Sequence, residues 1–130
     1  MKAGGKYYFQ IIVNKGKLIK IGVAKEGAPI DKAFSDTELG WSIFNGELRH
    51  GQDYGATKYG KNKGGAKVKD GDVVSVLVDM VEGTLAFMKN GVYLGIAFRD
   101  DELKKGSLYP AVASVYKSDE FSVHYPELED

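Results

Sequence analysis

Proton transfer near neutral pH and metal ligation call first for histidine and cysteine, and this chain has two histidines and no cysteine. His50 and His124 lie far apart, and neither has a second histidine or a metal-spaced carboxylate beside it. Each reads as a surface or hydrogen-bonded histidine, and no metal is expected. The lack of cysteine removes thiol catalysis, cysteine-ligated zinc and any disulfide framework. Among Ser35, Ser42, Ser75, Ser107, Ser114, Ser118 and Ser122, none stands in a Gly-x-Ser-x-Gly elbow. Asp36 and Glu38 could pose as paired carboxylates, but they sit two apart in a loop with no base in view. No acid, base and nucleophile set emerges, so the chain reads as non-enzymatic and free of cofactors.

Two further patterns invite a chemical reading. Residues 60–67, GKNKGGAK, come closest to a phosphate loop. Ala66 stands where lysine should follow the second glycine, and a strand follows where a helix is required. Lys58, Lys61, Lys63, Lys67 and Lys69 still form a local basic stripe. Without interleaved aromatics such a stripe reads as a soluble loop, which disfavours nucleic acid and leaves an acidic partner open. Aromatic residues are the remaining candidates. Trp41 opens a short strand and is expected to pack inward. Tyr116 sits at a strand-to-turn exit before Lys117-Ser118-Asp119, well placed to anchor a ligand on a rim.

The elements that would position these residues are strands. Asp72 to Phe98 contains three apolar runs separated by Glu82-Gly83 and Asn90-Gly91. Asn-Gly suits a type I′ turn, which needs positive φ at both central residues, so the segment reads as an antiparallel meander. Lys6–Val13 is aromatic and β-branched. Asn14-Lys15-Gly16-Lys17 is expected to close a hairpin into Leu18–Ala24. Trp41–Phe44 and Glu47–His50 flank a second Asn-Gly turn. Lys25–Gly40 and Gly51–Gly71 read as long, mostly irregular loops. Asp100–Gly106 allows at most one helical turn, and Leu108–Val115 and Glu120–Tyr125 supply the last strands. Leu85 and Phe87 share one face while Ala86 and Met88 share the other, so this strand is apolar on both sides. That pattern places it within a layered structure, two stacked antiparallel sheets.

Composition agrees. Eighteen basic residues balance eighteen acidic ones, so no net field draws nucleic acid or an anionic membrane. No segment reaches the roughly 20 apolar residues of a membrane span, and no signal segment opens the chain. An intracellular location, cytoplasmic or nuclear, is expected. Seventeen glycines and only three prolines suit many short strands with tight turns.

Five blocks in order resemble the SPRY domain family: Gly5-Lys6-Tyr7-Tyr8-Phe9; Ile21-Gly22-Val23-Ala24; Gly40-Trp41-Ser42 to His50-Gly51; Gly71-Asp72-Val73-Val74 through Leu94-Gly95-Ile96-Ala97-Phe98; and Leu108-Tyr109-Pro110-Ala111-Val112. The likeness spans a single domain over residues 5–126, with 1–4 and 127–130 as short termini. It implies an all-β fold, a concanavalin A-like bent β-sandwich of two antiparallel sheets. It also implies a protein-interaction module of the ubiquitin-ligase adaptor or scaffold type, gripping a partner segment with rim loops.

In the peptide-binding branch of that family a Val-Trp-Gly stretch follows the penultimate strand, matched here by Val115, Tyr116 and Lys117. A tyrosine before the histidine of the third block is matched by Arg49. The resemblance therefore implies a partner-binding set of Arg49, His50, Asp53, Tyr54, Val115, Tyr116 and Lys117. Lysine for glycine and arginine for tyrosine alter the pocket floor, which points away from that branch's asparagine-rich ligand. The partner is expected to be a protein or peptide with an acidic stretch. A monomer is expected, with strand addition at a free sheet edge as an open option. The alternative from another class is a lectin-like glycan-binding domain.

Overall fold

The computed structural model describes residues 1–16, 18–29, 31, 34–51, 57–60, 65–114 and 119–126. Among them run ten strands: β1 (Lys6–Lys15), β2 (Ile19–Lys25), β3 (Gly40–Phe44), β4 (Glu47–Arg49), β5 (Thr57–Lys58), β6 (Val73–Asp79), β7 (Thr84–Lys89), β8 (Val92–Arg99), β9 (Leu108–Ser114) and β10 (Glu120–His124). A 3₁₀ turn, Asp101–Lys104, follows β8 and is capped by the Asp100 side chain. One five-stranded sheet has the order β10-β1-β6-β7-β8, the other β5-β4-β3-β2-β9. All of these pairings are antiparallel.

Alternation builds the core. Phe9, Ile11 and Val13 of β1 are buried while Tyr8, Gln10 and Ile12 between them are half-exposed. The same side of β6 and β7 supplies Val74, Val76, Val78, Leu85 and Phe87. From the facing sheet come Ile19, Ile21, Val23, Trp41, Ile43 and Leu48. Full burial of a side chain of this kind contributes about 1.5–3 kcal/mol. As expected, Trp41 is completely buried.

The meander forms as read. Asn90 and Gly91 take φ of 51° and 83°, and Asn45 and Gly46 take 52° and 79°, the positive pair that a type I′ turn demands. Asn90 also ties its turn to the start of β6, accepting from Val73 N–H at 2.8 Å and donating to Asp72 Oδ1 at 2.9 Å.

Three expectations are corrected. β1 and β2 are not a hairpin: β1 pairs with β6 and β10, and β2 with β3 and β9. Six of the seven β2 residues are buried, so this strand needs neighbours on both edges and a layer above it. The short polar link after Lys15 therefore crosses between sheets, a path that local turn residues do not distinguish from a hairpin. Second, β5 is a short strand inside a stretch read as loop. Third, a two-layer structure covers only one face of β7. On the other side Ala86, with Leu77, Tyr93 and Ile96, lines a shallow depression of about 240 Å³.

A break in the β7–β8 ladder has its own filler. Ala86 pairs with Ile96 and Met88 with Tyr93, so Leu94 and Gly95 stand opposite Phe87 alone. The hydroxyl of Tyr59, just after β5, accepts from Phe87 N–H at 3.2 Å and donates to the Gly95 carbonyl.

Candidate partner-binding site

Arg49 lies on the outer face of the second sheet. It stands opposite Ser42, which stands opposite Gly22, which stands opposite Ala111, so small residues floor the middle of this face. Gly22 cannot be larger. A Cβ there would lie 1.8 Å from the Trp41 carbonyl oxygen and 2.7 Å from Ser42 Cα. Gly40 is equally constrained, because its Cβ would meet the Phe34 carbonyl oxygen at 2.0 Å. The β2–β3 loop thus lies directly on the sheet, held by a 2.7 Å hydrogen bond between the Ser35 and Ser42 hydroxyls.

Around Phe44 these elements assemble a ledge of charge on an aromatic ring. The Lys20 amine lies 5.5 Å from the Phe44 centroid and 5.7 Å from that of Phe34, and pairs with Asp36 at 3.3 Å. The Arg49 guanidinium lies 5.7 Å from the Phe44 centroid. Its Nη2 donates to Glu47 Oε1 at 2.8 Å, and Lys58 approaches the other Glu47 oxygen at 3.4 Å. Two cations thus lie over one ring, each paired with a carboxylate, and Lys58 joins the group through Glu47. Lys20 also stands opposite Ala113, so the end of β9 reaches this ledge. Ser114 donates to Asp119 at 2.5 Å across the β9–β10 connection.

His50 follows β4 but turns inward. Its ring stacks on Trp41 with centroids 4.6 Å apart and planes 9° apart, and meets the Phe98 ring edge-on at 6.2 Å. Nδ1 donates to the Gly40 carbonyl at 2.9 Å, since a carbonyl can only accept. Nε2 faces Asp100 Oδ2 at 3.5 Å, the same oxygen that accepts from Trp41 Nε1 at 3.3 Å. Asp100 Oδ1 caps the 3₁₀ turn by accepting from Glu102 N–H at 2.9 Å. This cluster pins the end of β4 to β3 and to the exit of β8.

Of the residues expected to bind a partner, Arg49 and His50 are adjacent but point to opposite sides of the sheet. Asp53, Tyr54, Val115, Tyr116 and Lys117 lie outside the described residues. Lys20 and Phe44 were missed by sequence reasoning. The signal was present: Lys20 is the lone charge inside an apolar strand, a position that demands a dedicated partner. Tyr109 was also missed as a surface residue. It is 48% exposed and, with Ala24, Ala28, Phe34 and Ala111, lines a cleft of about 390 Å³ between the β2–β3 loop and β9.

The family model of the SPRY domain matches residues 6–127. The chain is similar to F-box/SPRY domain-containing protein 1 of Xenopus laevis, at 32% identity over 117 residues, covering 85% of this chain and 41% of that protein. It is also similar to human SPRY domain-containing SOCS box protein 2, at 33% identity over 119 residues, covering 85% and 44%. The chain thus spans less than half the length of these relatives. The crystal structure of the SPRY domain of human HERC1 superposes with a TM-score of 0.75 at 21% identity, covering 98% of this chain and 79% of that one.

Proposed function

The chain belongs to the SPRY domain family, and from that premise we propose that it is a protein-interaction module whose ligand is a partner segment lying across the outer face of the second sheet. The observation carrying this reading is the Phe44 ledge: Lys20 and Arg49 over one aromatic ring beside the end of β9, with Lys58 joined through Glu47. In this reading Tyr116 anchors the segment, with Val115 and Tyr54 flanking it. Arg49, Asp53 and Lys117 choose among sequences, and His50 holds the end of β4 from beneath. A sandwich that holds Phe44 and Arg49 on paired strands loses little ordering entropy there on binding.

The cations Lys20, Arg49 and Lys58 on this face favour an acidic stretch in the ligand, with a carboxylate competing for Arg49 against Glu47. By likeness to relatives whose names carry an F-box or a SOCS box, the module is the recognition half of a larger assembly, an adaptor or scaffold. Capture from a native lysate tests the site. Tyr116→Ala abolishes recovery of the bound partner and leaves the thermal midpoint unchanged, and Arg49→Glu weakens recovery at low salt. Parallel loss of binding and stability in Tyr116→Ala would place that tyrosine in the core and remove it from the site.

A further inference from the structure

Among the described residues four strands end the two sheets: β5 and β9 in one, β8 and β10 in the other. An edge strand presents a row of unpaired N–H and C=O groups, which proteins blunt with brevity, proline, lysine or bulges. Three of these edges are blunted. β5 has two residues, β9 carries Pro110, and β8 is broken by register shifts. β10 has the fewest of these devices, a single register shift in its ladder with β1 next to Glu120. Glu120–His124 contains neither proline nor lysine, and residues 121–124 pair in unbroken register with Val13, Ile12, Ile11 and Gln10.

The inward side of β10 is also only partly covered. Phe121 and Val123 stand opposite Val13 and Ile11, whose side chains are fully buried, so all four share the core side of the sheet. Yet Phe121 is 37% exposed, Val123 41%, and Tyr125, which continues the row, 62%. Tyr125 meets the core in a tilted contact with Phe9, centroids 6.2 Å apart.

We infer that β10 pairs antiparallel with β10 of a second copy of this chain, about a two-fold axis through Ser122. The strand is self-complementary in that register. Glu120 faces His124 of the copy on the outer side, Phe121 faces its Val123 on the inner side, and Ser122 faces itself. Symmetry makes each mixed pair twice, setting carboxylate against imidazole and apolar against apolar. Facing residues must share a side of the sheet, so only slips of two residues are allowed. A slip of two in either direction removes both Glu120–His124 pairs. The five-stranded sheets of the two copies then join into one continuous sheet. This interface lies on the opposite sheet from the Phe44 ledge, so it stands or falls independently of the proposed function.

Sedimentation equilibrium of the whole chain over a concentration series, with circular dichroism to confirm folding, provides the test. The wild-type chain shows a concentration-dependent dimer. His124→Glu sets carboxylates opposite each other twice and weakens the dimer about tenfold or more. Adding Glu120→Lys to His124→Glu sets lysine against carboxylate twice and restores association. A chain that stays monomeric at the highest attainable concentration overturns the inference, as it would if β10 served another protein's strand. A dimer indifferent to His124→Glu, or one not rescued by the double charge swap, overturns it equally.

Discussion

Replacing Tyr59 with phenylalanine removes one oxygen atom and leaves the β7–β8 bulge without its filler. The ring remains, still edge-on to Phe87 with centroids 5.9 Å apart, so packing is held constant. Two polar groups lose their partner: the Phe87 N–H, on a fully buried residue, and the Gly95 carbonyl, on a half-exposed one. A buried group left unsatisfied costs about 1–3 kcal/mol, and water can reach the carbonyl more readily than the amide. A loss of about 2–3 kcal/mol is expected. At roughly 2.1 cal/mol/K of unfolding entropy per residue, a 130-residue chain loses about 3–4 °C of midpoint per kcal/mol, hence about 7–11 °C. Urea denaturation gives the free energy and calorimetry the midpoint. The pH dependence adds a second signature. Burial pushes the Tyr59 phenol well above its usual range, outweighing the hydrogen bond from Phe87 that pulls it down. A raised folded-state value means that this stability is complete below the unfolded value near 10 and fades as pH climbs beyond it. The gap between wild type and Tyr59→Phe therefore narrows above pH ~10. A loss below about 0.5 kcal/mol would refute the reasoning, because it would mean that water satisfies both groups as well as the hydroxyl does.

Two other perturbations follow from particular contacts. The Asp79 carboxyl is held below its usual range chiefly by the hydrogen bond from Glu82 N–H, with Val81 N–H and Lys6 adding to it against a modest burial effect. A depressed folded-state value gives stability that is present above about pH 4 and is lost as pH falls through that lower value. Asp79→Asn is therefore less stable than wild type by at most about 1 kcal/mol at pH 7, and thermal melts show the gap closing toward pH ~3. Gly22→Ala drives a methyl into the β3 backbone, 1.8 Å from the Trp41 carbonyl oxygen, where no side chain can yield. It costs about 3 kcal/mol, read by urea titration, and a near-neutral result would mean that β2 and β3 separate freely.

Much of this protein was legible from residue types at short range. Asn45-Gly46 and Asn90-Gly91 declared their turns because few other residue pairs tolerate two successive positive φ values. The aromatic and β-branched run Lys6–Val13 declared a strand. The ordered blocks from Gly5 to Val112 were specific enough to identify the family and, with it, the two-layer sandwich. What those signals share is that the physics acts within a few residues or along one strand. Partner choice between strands is different, because it is settled by competition among all the apolar faces at once. Thus β2, buried on nearly every residue, went between β3 and β9 and left β1 to the other sheet. The Phe44 ledge likewise joins Lys20, Asp36, Glu47, Arg49 and Lys58 from elements remote in sequence. His50, adjacent to Arg49, was turned inward because Trp41 offered its ring a stack, the Gly40 carbonyl an acceptor for Nδ1–H, and Asp100 a neighbour for Nε2. The chain's own order of residues determined the strands, the turns and the family. Only tertiary structure decided which side chains meet, because burial and charge pairing are properties of the whole packed set.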